Sequence, residues 1–433
     1  MKTYKQSIRR AVLVDGCRIP FLRSSTEYQD LTSYDLARYA IKALIDRSGI
    51  DKKMVNQVIM GTVISNIQTS NVAREAALAI GLPHNIPAFT VTLACISSNQ
   101  AITSGVDLIQ TYQADVVIAG GTECMSDIPI LFRKKFRKKL IETQKYKKTT
   151  DYLKFIKGLG FSDLLPEIPS ISEYSTGRTM GMDCDRLAAR LGISREEQDE
   201  YALRSHLGAA NAIENGLFNE EIQPVMAPPK FIPILKDNGP RADSTIEKLQ
   251  KLRPAFMKPY GTLTAANSSF LTDGASTVLL MAEDTAKSLG FKPKVAINAY
   301  TYTAQDPKEE LLLGPAYATP KLLDMTGLTI KDIDVFEFHE AFAAQILANL
   351  KCLDSTQFAK DNLGKSKKIG QIPMDKFNTL GGSLSLGHPF GATGARLATT
   401  TANRLIREDG QFGLIASCAS GAIGNAILME RLN

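Results

Sequence analysis

Nowhere in this 433-residue chain do the roughly 20 uncharged apolar residues of a membrane span run together, so no transmembrane segment is expected. The basic stretch Met1–Arg10 runs straight into Ala11–Val14, with neither a signal peptide's apolar region nor a long Arg- and Ser-rich presequence. That predicts an unexported, cytoplasmic chain, or a mitochondrial-matrix one from which a presequence has been removed. The six cysteines, Cys17, Cys95, Cys124, Cys184, Cys352 and Cys418, contain no Cys-x-x-Cys pair. No pair of the four histidines has ligand spacing with a cysteine, so no metal site is expected. In a reducing compartment the thiols stay free, and for most of the six the plain role is that of a small buried hydrophobe. A Gly-x-x-x-x-Gly-Lys-Ser/Thr phosphate loop is absent, and so is low-complexity sequence.

What is present is a globular composition, 44% hydrophobic and 22% charged, long enough for two or three domain-sized units. Net charge is +6, and one segment accounts for it. From Leu131 to Gly160 eleven Lys and Arg face only Glu142 and Asp151, a local net of +9, which leaves the rest of the chain near −3.

The chain also repeats itself. Ala40–Val58 and Ala318–Phe336 align without a gap at an offset of 278, pairing Leu44 with Leu322, Asp46 with Asp324, Gly49 with Gly327 and Val55 with Ile333. Each copy reads as an amphipathic helix, a glycine stop, a short second turn and an apolar strand. The expected organisation is an N-terminal α/β half at 1–127, an inserted region at 128–279 and a homologous C-terminal half at 280–433. Pseudo-symmetry of this kind places a site where the halves meet. Within the insertion, Ser194 with Glu197 three residues later predicts a capping box and a helix start.

Four constellations carry chemistry. In Val91–Ile102 a short apolar approach ends at Cys95, and a helix-periodic run follows. A cysteine at a helix start feels the positive end of the dipole, which favours thiolate, yet the segment alone leaves a buried core cysteine equally open. In Asn378–Gly394 five glycines surround His388, a poor setting for a core-filling histidine. Ser417–Gly424 sets Cys418 in a turn of small residues after the last apolar strand, where a tight turn alone would suffice as explanation. His339 and Glu340 follow the strand of the second repeat; the counterpart of His339 in the first copy is Gly61, so the histidine is an addition to the shared scaffold. Two cysteines and two histidines each lie after a strand, among small residues. The chemistry that fits is nucleophilic acyl transfer with a separate proton carrier.

Together with Ala119–Ser126 and Gly261–Ser269, these motifs resemble the thiolase family over essentially the whole chain. The likeness is greatest to the branch found in fatty-acid-oxidation complexes. The resemblance implies an α/β thiolase fold, with two pseudo-symmetric βαβαβαββ halves in a layered core and a large inserted loop domain. It implies 3-ketoacyl-CoA thiolysis, with coenzyme A as co-substrate and no covalently bound cofactor. By the same resemblance Cys95 is the nucleophile, His388 takes its proton, and Cys418 is the acid/base. His339 and His388 form one oxyanion hole; the backbone N–H groups of Cys95 and Ser420 form a second; Ser269 and Arg241 contact CoA. Many thiolases carry Asn where His339 stands. Ser420 and Ala422 stand where the family commonly has glycine.

The resemblance further implies a homodimer within a hetero-oligomer containing a hydratase/3-hydroxyacyl-CoA dehydrogenase subunit. In Leu131–Leu165, Phe132, Phe136 and Leu140 recur every four residues, and Leu153, Ile156 and Leu159 every three, all among lysines. That pattern predicts two amphipathic helices suited to an anionic bilayer surface or a partner subunit. A solvated hairpin and a contact to CoA phosphates are the alternatives; no nucleic-acid motif is present. Rival functions are a decarboxylating ketosynthase, which needs no Cys418, a short-chain acetoacetyl-CoA thiolase, and a non-catalytic scaffold subunit.

Overall fold

The computed structural model describes residues 9–152, 155, 157–167 and 172–432. Its frame is a ten-stranded sheet. The principal strands are β1 (Ala11–Arg18), β2 (Gln57–Gly61), β3 (Ala88–Val91), β4 (Val116–Glu123), β5 (Thr272–Ala282), β6 (Val295–Ala304), β7 (Val335–Phe338), β8 (Phe412–Ala419) and β9 (Ile423–Arg431). Their order is β7-β8-β9-β6-β1-β5-β4-β2-β3, with the short strand Leu22–Arg23 beside β5. From the β1·β6 seam outward, each side runs antiparallel, antiparallel, then parallel: β1·β5, β5·β4, β4·β2 on one side and β6·β9, β9·β8, β8·β7 on the other. The seam itself is thin, pairing only Val12 with Ala296 and Leu13 with Val295.

The repeat seen in the sequence folds twice into the same unit. Helix α1 (Ser33–Ser48) starts on a Thr32/Asp35 capping box and stops at Gly49, whose φ of 69° is the left-handed conformation that glycine adopts without strain. A 3-10 turn at Lys52–Met54 then leads into β2. In the second copy a helix at Gly314–Thr326 stops at Gly327, φ 71°, followed by a turn at Ile330–Asp332 and β7. The counterpart of β3 is reduced to one parallel bridge between Phe336 and Phe377. Strand β5 crosses residue 279 and pairs with both β1 and β4.

Two helices fill the space between the two sides of the sheet: α2 (Ser97–Gln110) and α3 (Thr393–Arg407). Ile102, Val106 and Ile109 of α2, with Leu397, Ala398 and Leu405 of α3, pack in one cluster against Leu13, Val117, Leu280, Ile297, Ile415 and Ile427. Each large apolar side chain so enclosed contributes about 1.5–3 kcal/mol relative to exposure. Separate apolar clusters bind α1 to the outer face of one side and Gly314–Thr326 to the outer face of the other. The result is helix, sheet, helix, sheet, helix, which is the expected layered α/β core.

The central region holds helices at Met180–Leu191 and Arg195–Glu214. The second begins on the predicted box: Glu197 N–H donates to Ser194 Oγ at 3.1 Å, and Ser194 N–H to Glu197 Oε2 at 2.7 Å. In the basic segment, Lys134–Glu142 is helical, and the Phe136 ring packs edge-on against Phe132 and Phe155. Leu153, Lys154 and Ile156, which the second predicted amphipathic helix needs, lie outside the described residues. Among the described residues no helix is long and apolar enough to cross a membrane.

Candidate active site

The loops that leave the sheet beside α2 and α3 converge at one point. Cys95 sits between β3 and α2, in a turn tied by Ser97, whose Oγ accepts from Leu93 N–H at 2.8 Å and donates to the Ala94 carbonyl at 2.7 Å. Ala94 takes φ 46°, a left-handed conformation that is strained for a residue with a Cβ and that turns the following thiol out of the chain path. His339 follows β7 and His388 precedes α3, while Cys418 lies within β8, paired with Gly424, rather than in a turn after the strand. The sulfur of Cys95 and a ring nitrogen of each histidine lie within 4.8 Å of one another, and the two rings are 3.9 Å apart. Cys418 is close enough for its thiol to feel the charge of Cys95. Thus four segments far apart in sequence deliver two thiols and two imidazoles to one place.

The two imidazoles are held differently. His388 Nδ1 lies 2.6 Å from Thr393 Oγ1, and that hydroxyl also lies 3.0 Å from the Pro389 carbonyl. A carbonyl only accepts, so the single hydroxyl proton goes to Pro389, and Thr393 accepts from Nδ1–H. This leaves His388 Nε2 without a proton, as a base. His339 Nδ1 lies 3.0 Å from Ser383 Oγ, which also accepts from Arg396 at 3.3 Å. Arg396 only donates, so the Ser383 hydroxyl proton goes to His339 Nδ1, the one acceptor among these contacts, which places the imidazole proton on His339 Nε2 as a donor. Both Nε2 atoms are buried without a hydrogen-bond partner, so both are directed at whatever enters the site.

Burial keeps every member neutral at rest. Desolvation depresses His339 to about 3, and His388 falls well below the usual histidine range for the same reason, with further repulsion from His339 and Arg396. Cys95 is half-buried as a residue, yet desolvation pushes its thiol up to about 12. The backbone amides of Ser420 and of Cys95 itself hydrogen-bond the sulfur and pull the other way, while Glu123 and Glu173 add to the rise. The helix start expected to favour thiolate is there, yet the thiol is raised, with desolvation the largest cause. Burial likewise pushes Cys418 upward.

The glycines around His388 allow backbone to meet backbone. A Cβ on Gly121, at the end of β4, would lie 1.8 Å from the Gly391 carbonyl oxygen. Ser420, where glycine is common in the family, is not among the left-handed positions; Gly421 and Ala422 are, at φ 83° and 56°. The serine therefore sits without backbone strain, and only Ala422 occupies a conformation that glycine would suit better. Ser269 lies beside the His339 loop, its N–H donating to the Ala341 carbonyl at 2.9 Å. Arg241 is exposed, and its charge is felt by Arg23 and His206 rather than by the thiol–imidazole cluster.

Three buried carboxylates support the site. Glu123 accepts from the N–H groups of Val63, Ile64 and Gly391 and from the Thr62 hydroxyl, at 3.0–3.3 Å, so it ties the loop after β2 to the His388 loop. Glu340 accepts from Tyr201, Ser205, Asn378 and Leu384 N–H, at 2.7–3.2 Å. Asn378 in turn clamps the Phe338 backbone just ahead of His339. Glu173 accepts from the Ser420 hydroxyl and from Gly421 N–H, tying the inserted region to the Cys418 loop. Their roles went unread in the sequence. Glu123 and Glu340 lay inside motifs already singled out, whereas nothing around Glu173 marks it.

Comparison with known proteins supplies the lineage. Residues 11–284 match the description "Thiolase, N-terminal domain" and residues 291–431 match "Thiolase, C-terminal domain". The chain belongs to the thiolase family. It is therefore an acyltransferase, with the thiolase fold expected from its sequence. It is 55% identical over 426 residues to "Trifunctional enzyme subunit beta, mitochondrial" of Bos taurus, covering 98% of this chain and 89% of that one. It is 51% identical to a "Probable 3-ketoacyl-CoA thiolase" of Caenorhabditis elegans, covering 98% and 95%. Among solved thiolases, human mitochondrial 3-ketoacyl-CoA thiolase in complex with CoA superposes with a TM-score of 0.84 at 31% identity, covering 98% of each chain.

Proposed function

We propose that this thiolase cleaves 3-ketoacyl-CoA with a second CoA, giving acetyl-CoA and an acyl-CoA shortened by two carbons, in fatty-acid β-oxidation. The observation that carries the reading is the pair of imidazoles gathered beside the Cys95 sulfur, each with a buried, unpartnered Nε2, one a base and one a donor. His388 Nε2 accepts the Cys95 proton, and the thiolate adds to the 3-keto carbon. The oxyanion so formed is met by the N–H groups of Cys95 and Ser420. It collapses with cleavage of the Cα–Cβ bond; the electron pair passes to the departing acetyl-CoA enolate, whose oxygen faces His339 Nε2–H and the now protonated His388. Cys418 gives its proton to the enolate carbon. Its thiolate then takes the thiol proton of the incoming CoA, and the CoA thiolate removes the acyl group from Cys95. His388 returns its proton to Cys95, so every group ends as it began. Coenzyme A is a co-substrate, with Ser269 beside the His339 loop and Arg241 on the surface as its proposed contacts.

This reading favours activity over a purely structural subunit, because a scaffold has no use for two buried, unpartnered imidazole nitrogens beside a cysteine. Thiolysis of 3-ketoacyl-CoA substrates of increasing chain length tests it. Turnover confined to acetoacetyl-CoA would turn the assignment to the short-chain alternative, and no turnover of any length would sink it. We further propose a homodimer held in a hetero-oligomer with a hydratase/dehydrogenase subunit, after the trifunctional relatives, in the mitochondrial matrix or the cytoplasm. Peripheral membrane contact is proposed through 131–165, where Phe132, Ile141, Phe161 and Leu164 are exposed beside lysines.

A further inference from the structure

The sequence spacing of cysteine and histidine predicted no metal site, but the fold brings Cys95, His339 and His388 together. We propose that the open site, before substrate enters, binds one soft divalent cation of the zinc class through Cys95 Sγ, His339 Nε2 and His388 Nε2, and that this binding switches the enzyme off. Three observations carry it. The Cys95 sulfur and a ring nitrogen of each histidine lie within 4.8 Å of one another. Both Nε2 atoms are buried and unpartnered, so a metal displaces no protein hydrogen bond at either. Each Nδ1 is anchored by a hydroxyl, Thr393 for His388 and Ser383 for His339, which is the outer-shell support that fixes ring orientation in metal-bound histidines.

Tetrahedral zinc, with bonds of about 2.0–2.3 Å, sets neighbouring donors about 3.5 Å apart, so separations within 4.8 Å shorten by up to about 1.3 Å. His388 Nε2 already offers a lone pair. His339 ligates after its proton moves to Nδ1, where Ser383 accepts it in place of donating. The Cys95 thiol proton leaves to solvent and the sulfur binds as thiolate. Glu123 and Glu173 bias the Cys95 sulfur towards positive charge, while buried Arg396, 3.5 Å from Glu337, opposes it. The bound thiolate removes one of the two charges the metal brings. Three protein ligands leave a fourth position open, as in catalytic zinc sites, but here the metal occupies the nucleophile itself.

The test uses the full chain stripped of metal, in the absence of substrate, titrated with Co²⁺ alone and Zn²⁺ alone. The expected result is one metal per chain, a thiolate-to-cobalt charge-transfer band, and protection of Cys95 from iodoacetamide by Zn²⁺. H339N, an asparagine found naturally in many thiolases, should weaken binding by about tenfold or more, and S383A by about tenfold through ring orientation. C95A should abolish the charge-transfer band, while C124S/C352S should bind as wild type does. A band that persists in C95A, H339N binding equal to wild type, or alkylation of Cys95 at an unchanged rate under saturating Zn²⁺ would each overturn the proposal. Because binding is read without substrate, its failure stays separate from any failure of the thiolysis reading.

Discussion

Replacing Thr393 by valine isolates the tautomer of His388 from its mere presence. The valine fills nearly the same space but cannot accept from Nδ1–H, and it removes the hydroxyl that donates to the Pro389 carbonyl. A buried donor left without an acceptor costs about 1–3 kcal/mol. The imidazole escapes part of that by moving its proton to Nε2, which is the tautomer that cannot take a proton from Cys95. Since about 1.4 kcal/mol is a factor of ten, the productive tautomer should become about 5- to 150-fold scarcer. Steady-state thiolysis should therefore show kcat reduced by about fivefold or more with KM changed by about twofold at most, because Thr393 is not proposed to touch substrate. T393S keeps the acceptor and should run near the wild-type rate. A folded T393V enzyme within about threefold of wild type, or a T393S enzyme as slow as T393V, would refute the assignment of Nδ1–H to His388.

The two cysteines should separate by role: C95A should lose thiolysis by ~3 kcal/mol or more in the barrier, whereas C418S should still form acyl-Cys95 from an activated acyl-CoA yet fail in thiolysis. Acyl groups found by mass spectrometry on Cys124 or Cys418 would reverse that assignment. Burial pushes the Glu123 carboxyl up to about 7 from an ordinary 4.5. The native state thus holds a proton that the unfolded chain has lost between those values, so Glu123 adds stability at acid pH that disappears as the pH rises through about 7. E123Q should flatten that slope, read by urea unfolding from about pH 5 to about pH 8, and an unaltered slope would contradict it. Deleting 131–160 should abolish co-sedimentation with cardiolipin or phosphatidylglycerol vesicles at low salt; equal partitioning of the deletion and the wild type would remove the membrane role. Sedimentation of the purified chain at micromolar concentration should give a dimer, and a clean monomer would count against one.

The layered fold was legible because local signals agreed with one another. Gly49 and Gly327 stop two helices at one offset, and Ser194 with Glu197 opens a third as read. Cys95, His339, His388 and Cys418 were legible as candidates set among small residues, and the structure brings all four together, with Cys418 inside β8 rather than after it and His388 after the short helix Ser383–Leu386 rather than after a strand. Their electrostatics were not, because the helix start after Cys95 is visible in sequence whereas the desolvation that raises its thiol depends on how the two sides of the sheet close. The nearness of Cys95, His339 and His388 was hidden from spacing rules for a related reason: those rules detect donors on one local element, and these three arrive on three. Glu173 was unreadable because its meaning lies wholly in its partners, Ser420 and Gly421, which are distant in the chain.

The duplicated scaffold divides its labour unequally. Cys95 stands between β3 and central helix α2, and His388 stands between the Phe377 bridge and central helix α3, so the proposed nucleophile and base occupy matching stations in two copies of one unit. In the second copy the strand matching β3 has dwindled to one bridge, and a long glycine loop carries the base instead. His339 likewise occupies the station held by Gly61. The second copy thus owns both imidazoles and Cys418, the proposed acid/base, while the first owns Cys95, the proposed nucleophile. Under the proposed mechanism a symmetric pair of either copy would be chemically idle, and the divergence of the two across a thin seam completes the proton circuit.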